Sequence, residues 1–208
     1  MTAGSVIKSQ TIIFIEKFFL TAKFYSQKFQ WAAEKFIGIL GSKLEIDSLK
    51  LLKNILTVKF NMKPHVIIYT DGGASPNPGT GGWAAVLYSP VHKAKREIYG
   101  GERDTTNNRM EITAAIKALE ALKTPCDVDL YTDSSYLQNT FAKKWIYNWK
   151  KNGWKTTSGA VLNRDLWEKL LELTKIHNVT WHHVKGHADD ELNNRCDELV
   201  HRAREELC

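Results

Sequence analysis

The sequence predicts an α/β domain, a mixed sheet with helices packed on it. Three observations carry that expectation. Three strand-like segments come first, and alternating helical and strand-like segments follow, as when an antiparallel meander continues into a mixed sheet. Composition, at 43% hydrophobic and 25% charged over 208 residues, is that of a globular chain long enough for one well-buried domain with extra length attached. Two apolar runs, Val66-Ile67-Ile68-Tyr69-Thr70-Asp71 and Val128-Asp129-Leu130-Tyr131-Thr132-Asp133, end alike and lead into small residues, Gly72-Gly73 and Ser134-Ser135. Each reads as a buried strand that delivers an aspartate at its carboxyl end, where the chain turns.

The elements follow in order. Residues 1–61 form an N-terminal extension with no Arg, no Pro and only Gly4, Gly38 and Gly41 as glycine. Its apolar spacing (Ile12, Ile15, Phe18, Phe19, then Lys23 to Phe36) fits one or two amphipathic helices, or a disordered segment. A membrane-surface or partner-binding helix and an organellar targeting segment are possible roles. The absence of Arg and the presence of acids weigh against targeting. Met62 stands directly before the first strand and can itself be a start, so an appended leader is the favoured reading.

The domain at 62–208 begins with a strand over 65–71 and a Gly/Pro-rich loop from Gly72 to Gly82. Strands over Trp83–Tyr88 and Lys95–Gly100 complete the meander. Thr106–Leu122 is a helix with Ala114, Ala115, Ala118, Leu119 and Leu122 on its apolar stripe, and Pro125 ends it. After the second aspartate-tipped strand, helical patterns span Tyr136–Trp149 and Asn163–Thr174. A strand at Val179–Val184 and a helix at Glu191–Glu206 close the chain.

Charge is unevenly spread. Residues 1–60 hold nine Lys against four acids, whereas the other 148 residues hold 20 Lys plus Arg against 19 acids. The basic balance therefore says little about the domain, and any nucleic-acid footprint there is a local patch. Three widely spaced cysteines, Cys126, Cys196 and Cys208, lack metal-ligand spacing and fit a reducing cytoplasm. No apolar run reaches the ~18 residues that a transmembrane helix needs.

In α/β sheets ligands gather beyond the carboxyl ends of strands, so Asp71 and Asp133 can share a site. Glu111 shares the stripe of Ala115, Ala118 and Leu122, where an ionised carboxylate is unfavourable unless paired or metal-bound. Taken alone, it also fits a capping box, Asn108-x-x-Glu111, in the first turn of its helix. Asp197 lies early in the last helix, where an acid also suits the helix dipole. Singly each acid has a structural explanation; together, four on two strand tips and two helix starts point to a metal site. All-oxygen ligands suit Mg²⁺ or Mn²⁺ rather than zinc. Trp181-His182-His183 does not rescue zinc, because neighbours in a strand face opposite ways; both histidines read as ordinary strand residues. His187, on a loop after Gly186, can shuttle protons near neutral pH.

The segment from Lys143 to Lys155 holds five lysines and three tryptophans and no acid. Lys150, Lys151 and Lys155 suit phosphates, and Trp145, Trp149 and Trp154 suit flat contact with sugars or bases. The plainer reading is an amphipathic helix with Trp inward and Lys in water.

From Met62 to about Glu206 the chain resembles the type 1 ribonuclease H family, in its bacterial form with a basic protrusion. The matching motifs are Tyr-Thr-Asp-Gly with Asn77-Pro78-Gly79, Thr105-Thr106-Asn107-Asn108-Arg109-Met110-Glu111, Tyr131-Thr132-Asp133-Ser134, the Trp/Lys segment, and Val184-Lys185-Gly186-His187 with Arg195-Cys196-Asp197-Glu198-Leu199. The resemblance implies a ribonuclease H-like fold, a five-stranded mixed sheet with helices on both sides. It implies cleavage of the RNA strand of RNA/DNA hybrids to 3′-hydroxyl and 5′-phosphate ends by a monomer. Asp71, Glu111, Asp133 and Asp197 match the family's metal ligands, for two Mg²⁺ ions or Mn²⁺ in their place, and His187 its mobile histidine. Asn77, Asn107 and Asn108 match positions that contact the RNA minor-groove edge and 2′-hydroxyls. Thr106 and Asn163 match a DNA-phosphate pocket. Ser135 stands where related enzymes often carry Gln, which implies a weaker or water-mediated RNA contact. The extension matches no family part.

Two other readings compete. An integrase or junction resolvase of the same fold would share the acids but lack Asn77, Asn107 and Asn108 together with the Trp/Lys segment. A non-catalytic hybrid-binding protein would not need all four acids and His187.

Overall fold

The computed structural model describes residues 63–185 and 190–207. The extension at 1–61 and His187 therefore lie outside the described residues. Lys63–Cys208 forms one compact unit.

Five strands make the main sheet: β1 (His65–Ser75), β2 (Gly79–Ser89), β3 (Ala94–Thr105), β4 (Asp127–Thr132) and, after a short hairpin of β5 (Lys155–Thr156) and β6 (Gly159–Ala160), β7 (Asn178–His183). Their order is β3-β2-β1-β4-β7. The first three pair antiparallel, while β1–β4 and β4–β7 are parallel. Helices α1 (Asn107–Glu120), α2 (Ser135–Ala142), α3 (Trp145–Lys151), α4 (Arg164–Ile176) and α5 (Glu191–Glu205) complete the fold. Among the described residues no helix is long and apolar enough to cross a membrane.

Alternation along β1 buries Val66, Ile68 and Thr70 and turns His65, Ile67 and Tyr69 to the other face, as a period of two requires. Val66 and Ile68 join Val128 and Leu130 of β4 in the larger core, under Ile112, Ile116 and Leu119 of α1 and Trp167 and Leu170 of α4. Trp167 is fully buried, and removing such a ring costs about 3–5 kcal/mol. The smaller core lies on the opposite face, where Ala84 and Val86 of β2 pack on Cys196, Leu199 and Val200 of α5. Both faces of β2 are thus covered.

The sheet and its helices are those expected, with local differences. The helical pattern over Tyr136–Trp149 is two helices, because Lys144 takes a left-handed conformation (φ 58°) that no continuous helix accommodates. α1 begins at Asn107, with Thr106 as its N-cap accepting from the Arg109 amide at 3.4 Å. The capping box that competed with the metal-ligand reading is absent: Glu111 is the fifth residue of α1, one turn beyond the cap. Asp197, likewise, is the seventh residue of α5, whose N-cap is Asp190. Neither acid occupies a first turn, so the structural explanations for both fall away.

Candidate active site

The parallel register of β1 with β4 sets Tyr69 opposite Tyr131 and Thr70 opposite Thr132. β1 runs on past the expected end at Asp71 to Ser75, and β2 begins at Gly79, so most of the expected loop is paired strand. Asp71, within β1, and Asp133, just past β4, therefore stand at the same level along the two parallel strands. Glu111 reaches them because α1 lies directly on β1. A Cβ on Gly72 would come within 2.3 Å of the Met110 carbonyl carbon and 2.4 Å of the Glu111 nitrogen, so only glycine permits that approach. On the other face Gly82 does the same for α5, where a Cβ would meet the Val200 oxygen at 2.5 Å.

One carboxylate oxygen from each of Asp71, Glu111 and Asp133 lies within 4.8 Å of the other two. Asp197 shares a pocket with Asp71 and Asp133, which Asn193 and Arg204 also line, but it stands outside that tight trio. His201, one turn along α5, lies 3.5 Å from the Asp197 carboxylate. The Oε2 of Glu111 is buried and lacks a hydrogen-bond partner. Burial first, then the Asp71 and Asp133 charges, push the Glu111 carboxyl well above the usual carboxylate range. An orphaned buried oxygen among like charges is the electrostatic signature of a site that takes a cation. The donor set is all oxygen, which fits a hard divalent ion. Asn193 was not singled out by the sequence; its Oδ1 is also buried and unpartnered, and it lines the same pocket as Asp71, Asp133 and Asp197.

The asparagine loop adjoins this edge. Asn107 accepts from the Ala74 backbone N–H through Oδ1 at 2.7 Å, and its own backbone N–H donates to Asn77 Oδ1 at 3.2 Å. These bonds tie the start of α1 to the end of β1. Asn77, Asn107 and Asn108 are all exposed. Asn163, at the N-cap of α4 (φ 56°), accepts from Arg109 at 3.3 Å, so Thr106 and Asn163 are linked through Arg109.

A family model described as RNase H matches residues 63–205. Over 143 residues the chain is 57% identical to a protein of Prosthecochloris aestuarii named ribonuclease H, spanning 68% of this chain and 97% of that one. This chain belongs to the RNase H family. A ribonuclease H of Acetivibrio thermocellus is 56% identical over 136 residues, 65% of this chain and 91% of the other. Among solved structures, LC9-RNase H1, a type 1 RNase H with the type 2 active-site motif, superposes with a TM-score of 0.63 at 28% identity, over 70% of this chain and 74% of its own. LC11-RNase H1 in complex with an RNA/DNA hybrid gives 0.55 at 25% identity, over 68% and 98%. RNase H enzymes depend on metal, and the trio of carboxylates is the feature here that meets that need.

Elsewhere in this RNase H domain the basic segment departs from one expectation. Lys150, Lys151 and Lys155 are exposed, but Trp154 is 7% exposed and belongs to the larger core, with Trp149 packed partly against it. The Trp149 ring sits 5.7 Å from Trp167, and Arg164 lies over Trp154. Trp154 thus holds the segment down rather than offering a flat surface, while Trp145 is half-buried under Lys143 and Tyr147 is exposed. Sequence also missed the clamp that fixes α5. Arg195 forks onto Glu97 of β3 at 3.1 and 2.9 Å and reaches Glu198 at 2.6 Å. The Arg195 hydrogen bonds hold the Glu97 carboxyl down at about 2. That clamp steadies the helix that carries Asp197.

Proposed function

We propose that the chain is an endonuclease that hydrolyses the RNA strand of RNA/DNA hybrids, giving 3′-hydroxyl and 5′-phosphate ends. The observation that carries the reading is the convergence of Asp71, Glu111 and Asp133 with an orphaned buried oxygen. Asp71, Glu111, Asp133 and Asp197 would hold two Mg²⁺ ions, for which Mn²⁺ can substitute. Bound there, two such ions activate water and stabilise a leaving oxygen in an in-line displacement. Asp71 would serve both ions. His187 would move a proton at the leaving or attacking oxygen.

Strand choice rests on chemistry that only RNA offers. Amides of Asn77, Asn107 and Asn108 donate and accept, as a 2′-hydroxyl does. Thr106 and Asn163 would take a phosphate of the DNA strand. Lys150, Lys151 and Lys155 would follow its backbone, with Trp145 and Trp149 beside them. We take 62–208 as the catalytic unit, acting as a cytoplasmic monomer.

The test is incubation with labelled RNA/DNA, RNA/RNA and DNA/DNA duplexes, each with Mg²⁺ or with EDTA. Hybrid cleavage that requires Mg²⁺ and spares the other duplexes is expected. Cutting of DNA/DNA, or hybrid cleavage that survives EDTA, would sink the reading. A chain beginning at Met62 with full activity would show that the extension is dispensable for catalysis.

A further inference from the structure

His183 holds a position that its strand does not explain. Val179 and Trp181 of β7 face the larger core, and Trp181 stacks on Phe141 of α2 at 4.3 Å between ring centroids. Two residues on, His183 has the same facing but stands past the rim of that core and is exposed. Its Nε2 lies 3.0 Å from Ser135 Oγ. His182 is different: it faces the other way, pairs with Asp129 at 2.7 Å and stacks on Tyr131.

Ser135 has no capping duty to perform. The N-cap of α2 is Ser134, whose hydroxyl accepts from the Leu137 amide at 3.3 Å. Ser135 is exposed, and the hydrogen bond its hydroxyl makes among the described residues is with His183. An exposed hydrogen bond of this kind adds little to stability. Its location is more telling. Ser135 follows Asp133 by two residues, and His183 is level with Thr132 in the β4–β7 register. Both therefore stand at the carboxyl edge of the sheet, beside the acids.

We infer that His183 is a positioning residue that orients the Ser135 hydroxyl onto a ribose 2′-hydroxyl of the RNA strand next to the cleavage site. This rests on the function proposed above. A serine hydroxyl is a free rotor, and the imidazole removes that freedom. If Nε2 accepts, Ser135 spends its proton on the ring and Oγ accepts from the ribose hydroxyl. If Nε2 carries the proton, Oγ accepts from the ring and Ser135 donates to the ribose oxygen. A 2′-hydroxyl satisfies either arrangement.

The experiment scans single 2′-deoxy substitutions along the RNA strand of a hybrid. It measures kcat and KM for the unaltered protein, Ser135→Ala, His183→Ala and His183→Gln. In the unaltered protein one position flanking the cut should cost about three- to tenfold in kcat/KM, mostly through KM. Ser135→Ala and His183→Ala should erase the penalty at that position alone, and His183→Gln, which can still bond Ser135, should restore most of it. A penalty profile in both alanine variants identical to that of the unaltered protein would overturn the inference. Loss of penalties at every position together would also overturn it, since that marks a general structural defect. Failure of the unaltered protein to cut any hybrid would instead bring down the proposed function, and this inference with it.

Discussion

The acid edge and the basic segment are built on opposite principles. The acids come from four separate elements, β1, α1, the end of β4 and α5, and are brought together by glycines that let helices approach the sheet. The Glu111 Oε2 is buried there beside the charges of Asp71 and Asp133, an arrangement that opposes folding while no cation offsets it. The basic segment is thirteen contiguous residues. Its lysines stand in water, and Trp149 and Trp154 fasten it to the core. The acids had to be assembled in three dimensions at a cost, whereas the lysines are displayed on a stretch the core already supports.

The largest effect should separate chemistry from binding. Asp71→Asn is expected to lower hybrid cleavage on the order of 10³-fold or more while leaving hybrid affinity within about threefold. Single-turnover cleavage and filter binding measure the two quantities; a variant that loses both together would mean that the acid edge also grips the duplex. Next comes the floor of the basic segment. Trp154→Ala should cost about 3–5 kcal/mol in urea denaturation, and half-buried Trp145→Ala well under half of that. Equal losses would mean that the two rings are not divided between core and surface. Smaller again is Lys150→Ala with Lys151→Ala, expected to weaken hybrid binding roughly tenfold at low salt and to reduce the log–log salt slope by about 1.5. A wild-type slope in that variant would remove the segment from the interface.

How much of this could be read from the chain follows the same division. The repeated Tyr-Thr-Asp endings announced two strands, and the structure sets them in register, Tyr69 opposite Tyr131. Glu111 on an alanine stripe was likewise visible. The helix start at Thr106 was legible to within one residue; what was ambiguous was the cap, because Thr106 and Asn108 are both good N-caps, and the tie from Asn107 to Ala74 that accompanies the choice of Thr106 has no local signature. The Arg195–Glu97 clamp joins residues 98 apart, a pairing that no periodicity reveals. Lysine gives no warning of a left-handed conformation, so the break at Lys144 was hidden. Trp154 misled for a related reason: tryptophan among lysines serves a binding surface or a core equally well, and only packing decides.

The last prediction tests whether the acid edge does oppose folding. The Glu111 carboxyl is raised above its unfolded value, by burial first and by Asp71 and Asp133 after it. A raised carboxyl binds its proton more tightly folded than unfolded, so metal-free protein should lose stability as pH rises from the unfolded value through the folded one. Glu111→Gln removes that loss. In EDTA at neutral pH the variant should be more stable than the unaltered protein by about 1 kcal/mol, the scale of one unsatisfied buried polar group. Mg²⁺ should reverse the order: at a hundred times its dissociation constant it adds about 2.7 kcal/mol to a protein that binds it only when folded, and the glutamine variant should gain less. Thermal denaturation of both proteins across pH, with EDTA and with Mg²⁺, reads all four cases. If Glu111→Gln is less stable in EDTA at neutral pH, Glu111 contributes to the fold as an ordinary hydrogen-bonded residue, and the contrast between the acid edge and the basic segment would no longer be one of stability.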